Sequence, residues 1–108
     1  MKLLTRAEEV VLLAIWTLQN DAYSIQIQKQ LHEATGKKWS LGTIFGPLER
    51  LEKRKLVTSY LSDSTPERGG RHKRIYQLTD EGKKILVEIR NMSISMWKNI
   101  PELSLKVK

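Results

Sequence analysis

Two short strand-like runs in an otherwise helical sequence limit the fold of this chain more than any other feature. The runs are LVTSYL (residues 56–61) and RIYQLT (residues 74–79), and both are rich in the β-branched and aromatic residues that strands favour. Between them lies SDSTPERGGRHK, whose Ser, Asp, Pro and two glycines are typical of a loop. The sequence therefore predicts one β-hairpin with a long, basic tip.

Two helices are predicted at the start of the chain. Thr5 followed by Glu8 forms a capping box, and apolar residues recur at helical spacing after it. This first helix is apolar nearly all round, so we expect it to bury a second face. A second helix is predicted from Ser24 to the C-terminal signal Gly36, with these residues buried: Ile27, Leu31 and Ala34.

A third helix is predicted from the N-cap Ser40. Its inner face is expected to contain Leu41, Ile44, Phe45, Leu48 and Leu51. Its opposite face then contains Thr43, Gly46, Pro47, Arg50 and Arg54. Pro47 stands beyond the first turn, where proline removes a hydrogen bond, so a distortion is expected near Gly46 and Pro47.

A last helix is predicted from the N-cap Thr79 to Pro101, with Asp80 and Glu81 in its first turn, where the helix dipole favours acidic residues. The expected organisation is a winged-helix domain over residues 1–79, a C-terminal helix over 80–101 and a loose tail over 102–108.

The order helix, helix, helix, hairpin, helix is that of a winged helix-turn-helix, in which the third helix enters the major groove of DNA. The predicted fold class is mainly α with a β-hairpin wing, followed by one further helix. Gly69 and Gly70 lie between Arg68 and Arg71, a composition that lets a hairpin tip approach a phosphate backbone and neutralise its charge. The alternative for this tip is a solvated loop whose charge only aids solubility.

The positive charge is concentrated around the third helix and the hairpin. The chain has a net charge of +7, and the segment from Gly36 to Arg74 holds ten Lys or Arg against four acidic residues, or +6. This concentration favours a polyanionic partner, and nucleic acid over a membrane surface. No apolar run is long enough to span a membrane and no signal peptide is evident, so we expect a cytoplasmic protein.

An enzymatic function is not expected. The chain has no cysteine and only two histidines, His32 and His72, and it contains no phosphate-binding glycine loop and no metal-ligand cluster. We accordingly expect no cofactor and no metal.

Two segments carry a resemblance to a known family. GKKWSLGTIFGPLERLEKRKLV is similar to the W-S-x-G-T-[IL]-Y-x-x-L-x-R-L-E pattern of PadR-like transcriptional regulators, and GGRHKRIYQLTDEG resembles the wing of that family. The resemblance covers roughly residues 5 to 100. It implies a winged-helix homodimer that represses transcription and dimerises through a single C-terminal helix.

The resemblance and the charge pattern together give the candidate DNA-binding residues. They are Lys37, Lys38, Ser40, Thr43, Phe45, Gly46, Arg50, Arg54, Arg68, Gly69, Gly70, Arg71 and Lys73. The sequence departs from the family pattern at Phe45, where tyrosine is usual, and at Gly46, which separates the aromatic residue from Pro47. Arg50 is expected to contact DNA or to pair with an acid such as Glu49 or Glu52. Trp39 is interpreted as a core anchor.

The first and last helices carry more apolar residues than one core needs, which indicates an interface. The predicted dimerisation residues are Leu12, Leu13, Trp16, Ile89, Met92, Met96, Trp97 and Ile100. The resemblance makes Trp97 a candidate contact for a small aromatic effector as well, although a simple packing role is favoured for it.

The predicted partner is double-stranded DNA with an inverted-repeat operator, because a two-fold dimer reads two symmetric half-sites. The alternative is a winged-helix module that binds proteins and does not bind DNA, since a fold does not determine a function. The position of the basic residues favours DNA.

Overall fold

The first helix begins at a capping box, as the sequence predicts. The computed structural model of the protein describes residues 3–62 and 72–101. The Thr5 hydroxyl accepts a hydrogen bond from the Glu8 amide at 3.1 Å, and the Glu8 carboxylate accepts one from the Thr5 amide at 2.9 Å. These two bonds satisfy amides that the first turn of a helix leaves without partners. They fix the start of the helix that forms the centre of the fold.

The described ranges contain four α-helices and two antiparallel strands. In chain order the elements are α1 (Arg6–Leu18), a 3₁₀ turn (Gln19–Asp21), α2 (Ser24–Thr35), α3 (Leu41–Lys53), β1 (Val57–Leu61), β2 (Arg74–Leu78) and α4 (Asp80–Lys98). The predicted fold class is confirmed: the protein is mainly α-helical with one β-hairpin, in the winged helix-turn-helix order.

Helix α1 lies in the core and contacts α2, α3, β2 and α4. The core consists of side chains that the solvent hardly reaches, among them Val11, Leu12, Ile15, Ile27, Leu31, Ile44, Leu48 and Leu51. Burial of each such side chain stabilises the fold by about 1.5–3 kcal/mol before entropic costs. Because α1 packs on so many elements, most of its apolar surface is used inside the chain, while Leu13 remains exposed.

Helix α2 ends as predicted, at Gly36 in the left-handed conformation with φ of 71°, which glycine adopts without steric cost. The predicted burial of Ala34 is wrong, because its side chain is exposed. Helix α3 begins at Ser40, whose hydroxyl accepts a hydrogen bond from the Thr43 amide at 3.1 Å.

Helix α3 runs through Pro47 without a break, so the distortion expected near Gly46 and Pro47 does not interrupt the helix. Gly46 precedes the proline, and a residue without a Cβ lessens the clash that normally drives a pre-proline residue out of the helical conformation. Gly46, which departs from the pattern that this segment resembles, thus makes it easier for the helix to continue through Pro47.

The hairpin is tied to the helices through its second strand and its base. Val57 pairs with Leu78 and Leu61 pairs with Arg74, and the amide of Tyr76 donates a hydrogen bond to the Ala22 carbonyl at 2.8 Å. This bond joins the edge of β2 that does not pair with β1 to the connection between α1 and α2. The base of the hairpin therefore has a fixed position relative to the helix-turn-helix.

Helix α4 begins against the start of β1. The hydroxyl of Thr79 accepts a hydrogen bond from the Gly82 amide at 3.1 Å, and the Thr79 amide donates to the Leu56 carbonyl at 3.0 Å. A Cβ placed on Gly82 would lie 2.3 Å from the Leu56 carbonyl oxygen. The close packing of α4 on this backbone therefore requires glycine.

Substitution Gly82→Ala should destabilise the protein by about 1–3 kcal/mol, because the backbone must move to relieve the clash. Urea unfolding at one fixed protein concentration measures the change. The control is Gly42→Ala, since a Cβ on Gly42 meets only the Ser40 hydroxyl at 3.9 Å and alanine is the better helix former. Equal unfolding midpoints for the two variants would contradict this account of the α4 junction.

Candidate nucleic-acid interface

The exposed side of α3 is rotated from the predicted one. Pro47 is buried together with Ile44 and Leu51, and Phe45 is 45% exposed. Pro47 follows Ile44 by three residues and precedes Leu51 by four, so all three lie on one helical face. The assignment of Phe45 to the inner face and of Pro47 to the outer face was therefore wrong.

The solvent-facing side of α3 is formed by Gly42, Thr43, Phe45, Glu49, Arg50, Glu52 and Lys53; we call it the outer face of α3. Glu49 and Lys53 form an exposed ion pair at 3.5 Å, of the kind that contributes little to stability. Gly46, half-buried, borders this face. The outer face combines polar groups, one aromatic ring and bare backbone.

Arg50 pairs with Glu8, an acid that the sequence reasoning did not consider as its partner. The Arg50 Nε donates a hydrogen bond to the Glu8 Oε2 at 2.9 Å, so neither Glu49 nor Glu52 holds it. Glu8 is 5% exposed, whereas half of the Arg50 side chain remains accessible. Arg50 is thus anchored from inside and still reaches the surface beside Gly46.

The carboxylate of Glu8 has a different donor for each oxygen. Oε1 accepts from the Thr5 amide and Oε2 accepts from Arg50. Burial by itself raises the pKa of Glu8, but the hydrogen bonds from Thr5 and Arg50 and the charge of Arg50 outweigh it, and the pKa lies below its ordinary value of 4.5. The sequence shows Glu8 as a capping residue, but it gives no signal for the contact with α3.

The segment between α2 and α3 presents Lys37 and Lys38, both exposed. The ring of Trp39 packs partly buried on the core, and its Nε1 donates to the Thr35 hydroxyl at 3.0 Å. The prediction of Trp39 as a core anchor is thus confirmed. Gln28 donates to the Trp39 carbonyl at 2.6 Å, and these bonds hold the two lysines at the start of α3.

Ser40 and Thr43 are already hydrogen-bonded to each other. Their hydroxyl oxygens are 2.7 Å apart, in addition to the cap bond from the Thr43 amide. Both side chains are exposed at the first turn of α3. Arg54 lies half-buried where α3 ends, at the opposite end of the helix from Ser40.

The wing meets the helices at Tyr23, a residue that the sequence reasoning did not single out. The Lys73 Nζ lies 3.8 Å from the centroid of the Tyr23 ring, a cation–π distance. Lys73, chiefly as a hydrogen-bonding partner, lowers the pKa of Tyr23 below its ordinary value of 10.0. The sequence indicates this contact only by placing an aromatic residue directly before the predicted start of α2.

His72 and Lys73 are also held at the base of the wing by Ser62. The His72 Nδ1 contacts the Ser62 carbonyl, and the Lys73 amide donates to the Ser62 hydroxyl at 3.0 Å. The predicted wing-tip residues, Arg68, Gly69, Gly70 and Arg71, lie outside the described residues.

A second surface joins α1 and α4. A groove of about 880 Å³ runs between these helices, and its lining includes Leu13, Trp16, Ile94 and Trp97. Trp97 is 67% exposed. Met96 and Ile100 are exposed beside it, and Ile94 is an exposed apolar residue that the sequence reasoning missed.

Two predicted dimerisation residues do not belong to this surface. Leu12 is fully buried in the core and Ile89 is 6% exposed, so neither offers a surface to a partner. Leu12 is buried within the chain because α1 is covered by α2, α3, β2 and α4. Met92 is half-buried.

Metal and membrane sites are not evident in the described part of the chain. Residues 3–62 and 72–101 contain no group of three or more metal-ligating side chains. Among the helices described, none is both long and apolar enough to span a bilayer.

One family model matches most of this chain, and several known proteins are similar to it. The model of the Transcriptional regulator PadR-like family matches residues 12–88. Uncharacterized protein X of Lysinibacillus sphaericus is 26% identical over 88 residues, which cover 80% of this chain and 74% of that protein. A crystal structure of a PadR-like transcriptional regulator from Bacillus cereus is 26% identical with a TM-score of 0.68, covering 85% of this chain and 86% of that chain.

Two further solved structures share the fold. A PadR-like transcription factor from Bacteroides fragilis has a TM-score of 0.69 at 24% identity, covering 86% of this chain and 87% of that chain. RosR from H. salinarum has a TM-score of 0.72 at 22% identity, covering 91% of this chain and 81% of that chain.

Substitution Glu8→Gln should lower the free energy of unfolding at pH 7 by about 1–3 kcal/mol, because the amide group cannot accept hydrogen bonds from both Thr5 and Arg50. The folded-state pKa of Glu8 is below 4.5, so its ionised form stabilises the fold above pH 4.5 and this contribution is lost as the pH falls through the folded-state pKa. The difference between wild type and variant should therefore shrink below pH 4.5. Denaturant unfolding across pH 3–7 measures it.

The matched control is Glu9→Gln. The Glu9 carboxylate forms an ion pair at 3.5 Å with Arg6, whose side chain is exposed. The control substitution should cost less than about 1 kcal/mol. A loss for Glu8→Gln as small as that for Glu9→Gln would show that the contact with Arg50 does not hold α3.

Proposed function

The chain belongs to the PadR-like family of transcriptional regulators, and we propose that it binds an inverted-repeat DNA operator as a homodimer and represses transcription. The family regulates transcription by binding DNA, and its members are not enzymes. A regulator of this kind must reach chromosomal DNA, so we also propose a cytoplasmic location.

One observation carries the proposal: the outer face of α3 and the base of the wing form one continuous surface. Phe45 of α3 lines a cleft together with His72, Lys73 and Arg74 of the wing and with Tyr23. In a winged helix-turn-helix the third helix enters the major groove. On this surface α3 would contact the bases while the wing contacts the flanking backbone.

The charges around α3 suit this arrangement. Lys37 and Lys38 precede the helix, and Lys73 and Arg74 lie at the wing base. Contacts from such residues to phosphates fix the position of a protein on DNA without reading sequence. Arg50 is anchored by Glu8, and its accessible half can contact a phosphate or a guanine.

The groove between α1 and α4 supports the dimer. It is lined by apolar side chains, and charged residues including Arg6, Glu9, Arg90 and Lys98 also line it. An apolar strip with a charged border is typical of a protein interface, and a two-fold dimer uses the same patch on both copies. We propose that α4 of a second copy occupies this groove, with Leu13, Trp16, Met96, Trp97 and Ile100 at the contact.

A small aromatic effector is a finer hypothesis for the same surface. Trp97 lines a cavity of about 330 Å³ with Ser93, Met96 and Ile100. Stacking on an exposed tryptophan is the contact that a planar ligand would make there. An effector bound between two copies would change the spacing of the two α3 helices.

A protein-binding winged helix is the competing function. Such a module would show no salt-dependent affinity for DNA, because its contacts release no counterions from a phosphate backbone. The salt dependence of DNA binding therefore discriminates between the two functions.

Substitutions Lys38→Gln and Lys73→Gln should each weaken binding to operator and random DNA alike. Each lost phosphate contact should reduce the slope of log affinity against log salt by about 0.9. Fluorescence anisotropy from 50 to 200 mM salt measures the slope. Lys84→Gln on α4 is the control, and if it changes the slope as much as the other two, the assignment of this surface to DNA is wrong.

Substitution Trp97→Ala should weaken the dimer at least about tenfold, because a buried tryptophan at an interface commonly contributes more than 1.4 kcal/mol. Sedimentation equilibrium measures the association. The control Glu88→Ala removes an exposed side chain from the opposite side of α4 and should leave the dimer intact. A fully dimeric Trp97→Ala protein would remove this residue from the interface.

A further inference from the structure

We propose that Phe45 is a specificity-determining residue that recognises the 5-methyl group of a thymine in the major groove. The inference rests on the proposed DNA-binding function and deepens it. It starts from the finding that Phe45 lies on the outer face of α3 with 45% of its surface exposed.

The ring of Phe45 faces a cleft of about 470 Å³ that lies between the helix-turn-helix and the wing. Ile25, at the start of α2, lines the same cleft and is 43% exposed. Two apolar side chains from different helices thus form one small patch at the junction of the surfaces proposed to bind DNA.

The patch is bordered by positive charge. The remaining lining includes His72, Lys73 and Arg74, and none of the described residues that line the cleft is acidic. A patch of this kind suits an apolar group carried by a polyanion. It does not suit a basic protein segment, since no described residue of the cleft would pair with the added cations.

Thymine supplies the only apolar group on a base edge in the major groove, its C5-methyl. A phenylalanine ring has no hydrogen-bond donor or acceptor for the polar base edges, so contact with this methyl is the readout available to it. A tyrosine at the same position would also carry a hydroxyl. Phe45 is therefore expected to favour thymine over the other bases at the base pair that it contacts.

The experiment replaces thymine by deoxyuridine, which removes only the methyl group. An operator is first obtained by selecting tightly bound sequences from a random DNA library with the wild-type protein. Each thymine of one half-site is then replaced in turn, and affinity is measured by anisotropy. Wild type should lose about fourfold in affinity at one thymine, the effect of removing one buried methyl-sized group.

The Phe45→Ala protein should bind the operator more weakly and should lose this discrimination, so thymine and deoxyuridine bind equally well at that position. Phe45→Leu, which keeps an apolar side chain, should retain part of it. Ile25→Ala, from the same apolar patch, should reduce the difference less than Phe45→Ala does. The control is Lys84→Gln on α4, which should keep the full fourfold difference. The same position can also be changed to a cytosine–guanine pair. An operator with 5-methylcytosine there should bind more tightly than one with cytosine only when Phe45 is present.

The outcomes separate the inference from the function on which it rests. If no sequence is enriched in the selection, the proposed function itself fails. If an operator is obtained and Phe45→Ala shows the same deoxyuridine penalties as wild type at every position, Phe45 does not read thymine and the DNA-binding function stands. Loss of discrimination in Ile25→Ala but not in Phe45→Ala would also overturn the proposal.

Discussion

The buried carboxylate of Glu8 is the constraint on which the orientation of the outer face of α3 depends. A charge removed from water must be paired and hydrogen-bonded, and Glu8 meets this requirement with the Thr5 amide and the Arg50 guanidinium. One side chain thereby closes the first turn of α1 and holds α3 against it. With Ile44, Leu48 and Leu51 in the core, this pair fixes how α3 is turned about its axis, and hence which residues its outer face presents.

The second constraint links the wing to the same frame. The Tyr76 amide of β2 donates a hydrogen bond to the Ala22 carbonyl, between α1 and α2. The Thr79 amide, at the N-cap of α4, donates one to the Leu56 carbonyl, just before β1. Lys73 lies on the ring of Tyr23 at the start of α2. The helix that would read bases and the strands that would contact phosphates are thus positioned by the same few elements. This common frame is what makes a defined contact between Phe45 and one base a reasonable expectation.

Local signals predicted the elements well, but they did not predict how α1 and α3 face their neighbours. The caps at Thr5, Ser40 and Thr79, the glycine at position 36 and the two strands depend on nearby residues, and all are where the sequence placed them. The burial of Leu12 and Pro47 depends on which sides of a helix other elements cover, and the partner of Arg50 lies 42 residues away. Periodicity cannot supply such information, because it locates an apolar stripe without showing what packs on its flanks.

The central claim, that the outer face of α3 lies on DNA, can be measured directly because the chain has no cysteine. A single cysteine introduced as Glu49→Cys, at an exposed position of that face, can carry an iron chelate that cleaves nearby DNA. We predict cleavage of the selected operator at two symmetric sites whose centres lie about one helical turn, roughly 34 Å, apart, and none from Glu88→Cys on α4. Cleavage from Glu88→Cys alone, or none from Glu49→Cys on operator that the protein still binds, would contradict the claim.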